Sequence, residues 1–158
     1  MNFKMTKFAR LFLGLLLLFM IFLMVTFTLG FINKADDIIP QIYRLMFLIC
    51  IYLSGIICAF FTYYTNRILN FIDNSEPFSI QVLDDVKRVR NIFLYEFLVL
   101  LGAVPLIYAN AQIGDAPGLL IISGAIILVP LVLSVFIGIL YELLKKVIMI
   151  KEDSELTI

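Results

Sequence analysis

Four long apolar runs alternate with short polar breaks along the chain. Leu11 to Ile32 extends for 22 residues without a charge. At about 1.5 Å per helical residue that is roughly 33 Å, enough for a hydrocarbon core of about 30 Å. Asn33 to Gln41 is a polar turn holding Lys34, Asp36, Asp37 and Pro40. Ile42 to Thr65 is the second run; Arg44 near its start can snorkel to the interface. Tyr43 at one end and Tyr63 with Tyr64 at the other suit the two interfacial aromatic belts. After a polar link, Asn91 to Ala109 is the third run, Asn110 to Pro117 a turn, and Gly118 to Tyr141 the fourth run. Pro105 and Pro130 lie inside the last two runs, where kinks are expected.

This pattern predicts an all-α integral membrane protein with four transmembrane helices arranged as two hairpins. The spans fall at about 11–32, 42–65, 91–109 and 118–141, within a single membrane domain, 1–158. The first run is too long for a signal-peptide core of about 7–15 residues, and no Ala-x-Ala site follows it, so it is expected to stay as a helix.

The link, 66–90, is the one long polar segment between the hairpins. Asn74-Ser75-Glu76-Pro77-Phe78 reads as a turn, because Pro77 biases Glu76 away from helix. Ser79 then suits a helix N-cap. Val82, Val86, Val89 and Phe93 follow on one helical face, with Asp84, Asp85, Lys87 and Arg88 largely off it. Asp84 and Arg88 stand four apart, a pair worth a few tenths of a kcal/mol. The expectation is an amphipathic helix on the inner membrane surface that turns into span three. Such a link serves either as an interfacial anchor or as a docking surface for a cytosolic protein. The tail, 142–158, is charged; the spacing of Leu140, Leu144, Val147 and Ile150 would carry a helix on along the membrane surface.

Basic residues give the orientation. Lys4, Lys7 and Arg10 precede span one; Arg67, Lys87, Arg88 and Arg90 lie in the link; Lys145, Lys146 and Lys151 lie in the tail. Only Lys34 and Arg44 face the other way. The positive-inside rule then puts both termini, the link and the tail in the cytoplasm of a multi-pass plasma-membrane protein. An even number of spans requires the same arrangement.

Composition agrees with lipid as the solvent. Hydrophobic residues make up 63% of the chain and charged residues 15%, with a mean hydropathy of +1.07; soluble domains run about 45–50% apolar and about 25% charged. The formal net charge is zero, so no global field favours nucleic acid, and direct binding of nucleic acid is not expected. There is no histidine. Cys50 and Cys58 would stand roughly 12 Å apart on one helix, beyond the reach of about 7 Å for a disulfide. No metal ligand set, cofactor motif or nucleophile–base set is visible, so neither metal, cofactor nor catalytic residues are assigned, and an enzyme is not expected.

Glu96 is the one acidic residue well inside a span, about 7 Å in if span three starts at Asn91. An intramembrane carboxylate is a functional candidate by default. The plainer alternative is a shallow or protonated group, or one paired with Arg67, Arg90 or Lys145. Cys50, Ser54, Cys58 and Thr62 recur every four residues on span two, with Gly55 and Ala59 alongside; small residues at this spacing let helices approach closely. Thr26 with Gly30, and Ser134 with Gly138, offer the same on spans one and four. Such faces suit a homodimer as well as a monomer.

The tail Lys146-Val147-Ile148-Met149-Ile150-Lys151-Glu152-Asp153-Ser154-Glu155-Leu156-Thr157-Ile158 resembles the ending of the YoaS-like family of bacterial four-helix membrane proteins, domain of unknown function 2975. That family closes on an Ile-Lys-Glu-Glu-Asn-Asp-Leu-Thr-Ile kind of run, from which Asp153, Ser154 and Glu155 depart while keeping the acidity. Pro77-Phe78 and the basic stretch Lys87 to Arg90 are similar to the family's central link. The resemblance covers the whole chain and implies four helices with no established activity, in proteins often encoded beside a helix-turn-helix regulator. It points to Pro77, Phe78, Lys87, Arg88, Arg90, Lys151, Glu152, Asp153, Glu155, Leu156, Thr157 and Ile158 as a docking face. The expected partners are the lipid bilayer and a cytosolic transcription regulator. The rival expectations are a small transporter or channel component centred on Glu96, and a bacteriocin-type immunity protein.

Overall fold

The computed structural model describes residues 3–33, 40–74 and 78–156. Expectations resting on Pro77, Thr157 and Ile158 lie outside the described residues. Five helices follow one another: α1 Phe3–Asn33, α2 Gln41–Asp73, α3 Ile80–Leu101, α4 Val104–Ile113 and α5 Pro117–Leu156. Among the described residues no strand occurs.

α1, α2 and α5 are each long and apolar enough to cross a membrane; α3 and α4 together supply a fourth, broken candidate span bent by 40°. The distribution of side chains is inverted relative to a soluble protein. Phe8, Leu18, Phe22, Ile121 and Phe136 are exposed, while the buried set is rich in small or polar groups such as Cys50, Ser54, Thr62, Ala103, Ala111 and Ser134. Lipid tails are as apolar as leucine, so helices here gain from close approach of small residues rather than from hiding large ones.

Each long helix packs on the next: α1 on α2, α2 on α3, and α3 on α5, while α4 turns back onto α5 and touches α2. The order is a row rather than a closed bundle. Antiparallel register between α2 and α3 is set by several contacts. Arg67 meets Asp85, Tyr64 meets Arg88, and the rings of Phe61 and Phe93 meet edge-on at 5.2 Å. Further along, a Cβ on Gly102 would come within 2.8 Å of Cys50 Sγ, so the backbone of α3 comes down directly on α2 there. On the other side of α2, a Cβ on Gly55 would meet the end of Met24 from α1.

The first part of the link departs from expectation: α2 runs on to Asp73, while α3 starts as expected after Ser79, at Ile80, and continues unbroken to Leu101. The reason is cooperativity. A helix already nucleated in a span adds residues at little cost, and nothing in 66–73 breaks it. Ser79 does cap α3, with φ −105° and ψ 153°, its hydroxyl accepting from Val82 N at 3.3 Å. The tail likewise prolongs α5 without interruption, giving a helix of 40 residues and roughly 58 Å. At the same end of the row, Arg10 of α1 is bonded to Asp73 at 2.6 Å and to Asn70 at 2.8 Å, tying α1 to α2.

The two prolines differ. Pro105 occupies the first turn of α4, and α3 stops one turn earlier; Gly102 N bonds Val99 O, and Ala103 N bonds Leu100 O, both at 3.0 Å. In a continuous helix the ring of Pro105 would collide with the carbonyl four residues back, so the helix breaks before it. Pro130 sits within the continuous α5 and breaks nothing. Between α4 and α5, Asp115 adopts φ 46°, the left-handed region, where its short polar side chain is tolerated.

Asp115→Val is expected to cost about 1–2 kcal/mol, and Asp115→Gly to cost nothing or stabilise slightly. Thermal unfolding of the detergent-solubilised variants checks both.

Candidate functional site

Two polar groups of residues stand out along the α2–α3 seam. The first is at the end rich in basic residues. Asp85 is 1% exposed, the most completely buried side chain described, although it carries a charge. It lies on a repeat of buried positions, Val82, Asp85, Val89 and Ile92, spaced three, four and three, which faces the neighbouring helices. This corrects the expectation that Asp85 sits off the apolar face: the packed stripe runs one position round from the valine pattern, and Val86 is only half-buried. Arg67 Nε lies 3.2 Å from Asp85 Oδ2, and the arginine side chain is 41% exposed. The contact is ionic rather than a well-aligned hydrogen bond, since Oδ2 has no hydrogen-bond partner.

Burial pushes the Asp85 carboxyl above the usual carboxylate range, opposed first by Arg67 and then by Arg88. Arg88 turns to α2 rather than to Asp84: it donates to Tyr64 Oη at 3.0 Å and lies over that ring at 5.2 Å. Arg90 is half-buried between α3 and α5, near Asn91 and 5.9 Å from the Tyr141 ring, while Ser134 donates to the Arg90 carbonyl at 3.1 Å. Ser134 is buried, and a Cβ on Gly138 would stand 3.4 Å from Arg90 Cδ, so α5 approaches α3 through these two residues.

The second group surrounds Glu96. Glu96 lies near Ser54, so the small-residue stripe of α2 is the surface it faces. Ser54 Oγ and Glu96 Oε2 are both buried without a well-formed hydrogen bond among the described residues. Glu96 is eleven residues beyond Asp85, roughly 16 Å along the helix. Of the three cations considered for it, Arg67 is engaged with Asp85 and Arg90 with Asn91. Cys50, Ser54 and Thr62 are buried, Cys58 is half-buried, and Thr62 donates to the Cys58 carbonyl at 2.9 Å. Both cysteines are free thiols. Among the described residues no group of acids and cysteines is arranged to hold a metal ion.

On α1, Thr26 and Gly30 remain on the outside, and Thr26 bonds only its own helix at Phe22. Thr28 instead faces α2, its hydroxyl 3.0 Å from Tyr52 Oη. Among the described residues α1 packs mainly on α2, and the face it presents carries Met24 and Thr28.

Phe78, Lys87 and Arg88 are exposed near the start of α3, while Arg90 is turned inward. Lys151 and Asp153 are exposed near the end of α5; Glu152, Glu155 and Leu156 belong to that helix. Valine spacing alone concealed Asp85 and its partner Arg67. The signal that could have found Asp85 is the three-four-three repeat through Val82, Val89 and Ile92, in which Asp85 fills the second position.

Arg67→Ala strands a buried carboxylate and is expected to cost about 2 kcal/mol at neutral pH, less than for a fully desolvated pair because Arg67 is 41% exposed. Asp85→Asn should cost little, since Arg67 can rehydrate. The raised acid favours its protonated form in the fold, so the Arg67→Ala deficit should shrink as pH falls through the Asp85 titration. Thermal unfolding in detergent across neutral to mildly acidic pH measures all three.

The profile of a family described as "Protein of unknown function (DUF2975)" matches residues 4–158. The chain is similar to the "Uncharacterized membrane protein YoaS" of Bacillus subtilis (strain 168), 30% identical over 128 residues that cover 80% of each chain. No solved structure matches it. With nearly its whole length inside the family profile, and apolar helices long enough to cross a bilayer, the chain belongs to the DUF2975 family of uncharacterised membrane proteins.

Proposed function

We propose that this is a non-enzymatic, four-span plasma-membrane protein whose cytoplasmic face docks a cytosolic protein. Both termini, the link and the tail lie on that face. The asymmetry of basic residues supports this topology, and the bent α3–α4 pair, apolar enough to count as one span, supports a fourth crossing. A DNA-binding regulator of the helix-turn-helix class is the candidate partner; the protein itself makes no contact with nucleic acid.

The observation that carries the reading is the far end of α5. It continues as helix well past Tyr141, and Leu143, Val147 and Ile150 are exposed on it at 55%, 43% and 68%. Their spacing of four and three makes one stripe, suited to a groove or a second amphipathic helix. Lys87 and Arg88 add positive charge near the start of α3. Val147→Glu with Ile150→Glu is expected to lower recovery of a specific cytosolic protein on the detergent-solubilised full chain at least about tenfold, the equivalent of about 1.4 kcal/mol. Unchanged recovery would remove the docking role.

A second reading, a small transporter or channel component, draws on the unpartnered Glu96 and Ser54 oxygens inside the α2–α3 seam. It predicts that Glu96→Gln abolishes proton or cation flux into vesicles reconstituted with the protein. Flux equal to that of empty vesicles for the unaltered chain would exclude it.

A further inference from the structure

Ser54 differs from its counterparts in the long helices. Thr26, Thr28, Thr62 and Ser123 each donate to the carbonyl four residues back, at 2.8, 2.7, 2.9 and 2.7 Å. That local bond is the simplest way to satisfy a hydroxyl inside lipid. Ser54 is 6% exposed, and its Oγ is buried with no hydrogen-bond partner among the described residues. The hydroxyl is near Glu96, whose Oε2 is equally buried and equally without a partner. Two orphaned oxygens therefore meet in the α2–α3 seam.

A count of hydrogens shows what the pair lacks. An ionised Glu96 can only accept, and Ser54 has one hydrogen to give. That hydrogen serves either Glu96 or the Cys50 carbonyl of its own helix. An ionised carboxylate inside the membrane also needs a counter-charge. The cations stand too far off. Arg90 is six residues back along α3, roughly 9 Å, and turns to Asn91 and Tyr141. Arg67 is at the level of Asp85, and Lys145 adjoins Leu144, which lies with Val86. Arg44 is ten residues before Ser54, roughly 15 Å the other way. Two oxygens are also too few for a hard metal ion, which takes about six or more. A single proton completes the set: Oε2 then donates to Ser54 Oγ, and the serine hydrogen is released to the Cys50 carbonyl.

The other titratable neighbours are few. α2 brings the thiols of Cys50 and Cys58, one turn to either side of Ser54. On α3, Tyr95 is exposed, and on α4 so is Tyr108. α5 has no titratable side chain from Gly118 to Leu140, and α1 meets the other side of α2.

We propose that the α2–α3 seam is a proton-binding site, in which one proton is held between the Glu96 carboxyl and the Ser54 hydroxyl. Glu96 binds the proton, and Ser54 is a positioning residue. Gly102 meets Cys50 one turn along α2 from Ser54, so the proton sits where the bent span is clasped to its neighbour. Its loss leaves an uncompensated charge in that clasp. Occupancy does not require passage: the site stands whether or not the protein carries a flux, and the two are measured separately.

The test is labelling of the full-length protein in detergent with dicyclohexylcarbodiimide. A protonated carboxyl gives its proton to a carbodiimide nitrogen and adds through oxygen to the central carbon. The adduct rearranges to a stable N-acylurea without losing an atom, so intact mass and fragment spectra count and locate it. At neutral pH one adduct is expected on Glu96, absent from Glu96→Gln and not formed by a water-soluble carbodiimide. Labelling should fall as the pH is raised. Ser54→Ala should move that fall to lower pH by roughly one unit, the equivalent of one hydrogen bond. Replacing choline chloride with sodium chloride should change nothing. Failure to label Glu96 at neutral pH would overturn the proposal. So would equal labelling by the water-soluble reagent, protection by sodium, or a pH profile indifferent to Ser54→Ala.

Discussion

Close backbone approach at α3 is the constraint on which the rest depends. This helix is the common neighbour of α2 and α5, and it meets them through small or polar groups: Gly102 against Cys50, Glu96 against Ser54, and the Arg90 carbonyl against Ser134. In lipid no solvent drives large apolar side chains together, so association comes from van der Waals fit and from polar groups with nowhere else to turn. Bulk at any of these positions would push a flanking helix away. The Arg67–Asp85 contact and the Ser79 cap then set where α3 begins, and the bend before Pro105 sets where it ends.

The outline of the fold was legible because lipid imposes a simple rule. Residues 11–32 and 42–65 show the required length of apolar chain, and α1 and α2 contain those runs whole. Pro105 announced a bend, and Ser79 announced a helix start. Helix ends beyond the spans were less legible, because charge density marks where water begins and not where hydrogen bonding stops. Arg67 reads as part of the link beyond the second span, yet it is an ordinary residue within the continuing α2, whereas Lys87 and Glu142 lie in helices as expected.

The candidate site was legible in part. Glu96 stood out as an acid in an apolar run, and the four-residue repeat from Cys50 to Thr62 defined a surface for it to face. Asp85 did not stand out, since an acid among lysines and arginines resembles any solvated helix turn. Its burial depends on where α2 lies, a tertiary fact with no local signature. Thr26 and Gly30 illustrate the converse: a small-residue pattern needs a second helix opposite it, and among the described residues α1 packs mainly on α2 through another face.

That single-file arrangement bears on how the protein is made. Each long helix packs mainly against the one released just before it, apart from the short α4 excursion. As the chain leaves the ribosome, every new rod therefore finds its mate already in place. None must linger unpaired while a distant segment is synthesised, and low separation between contacting segments is the condition under which assembly is quickest.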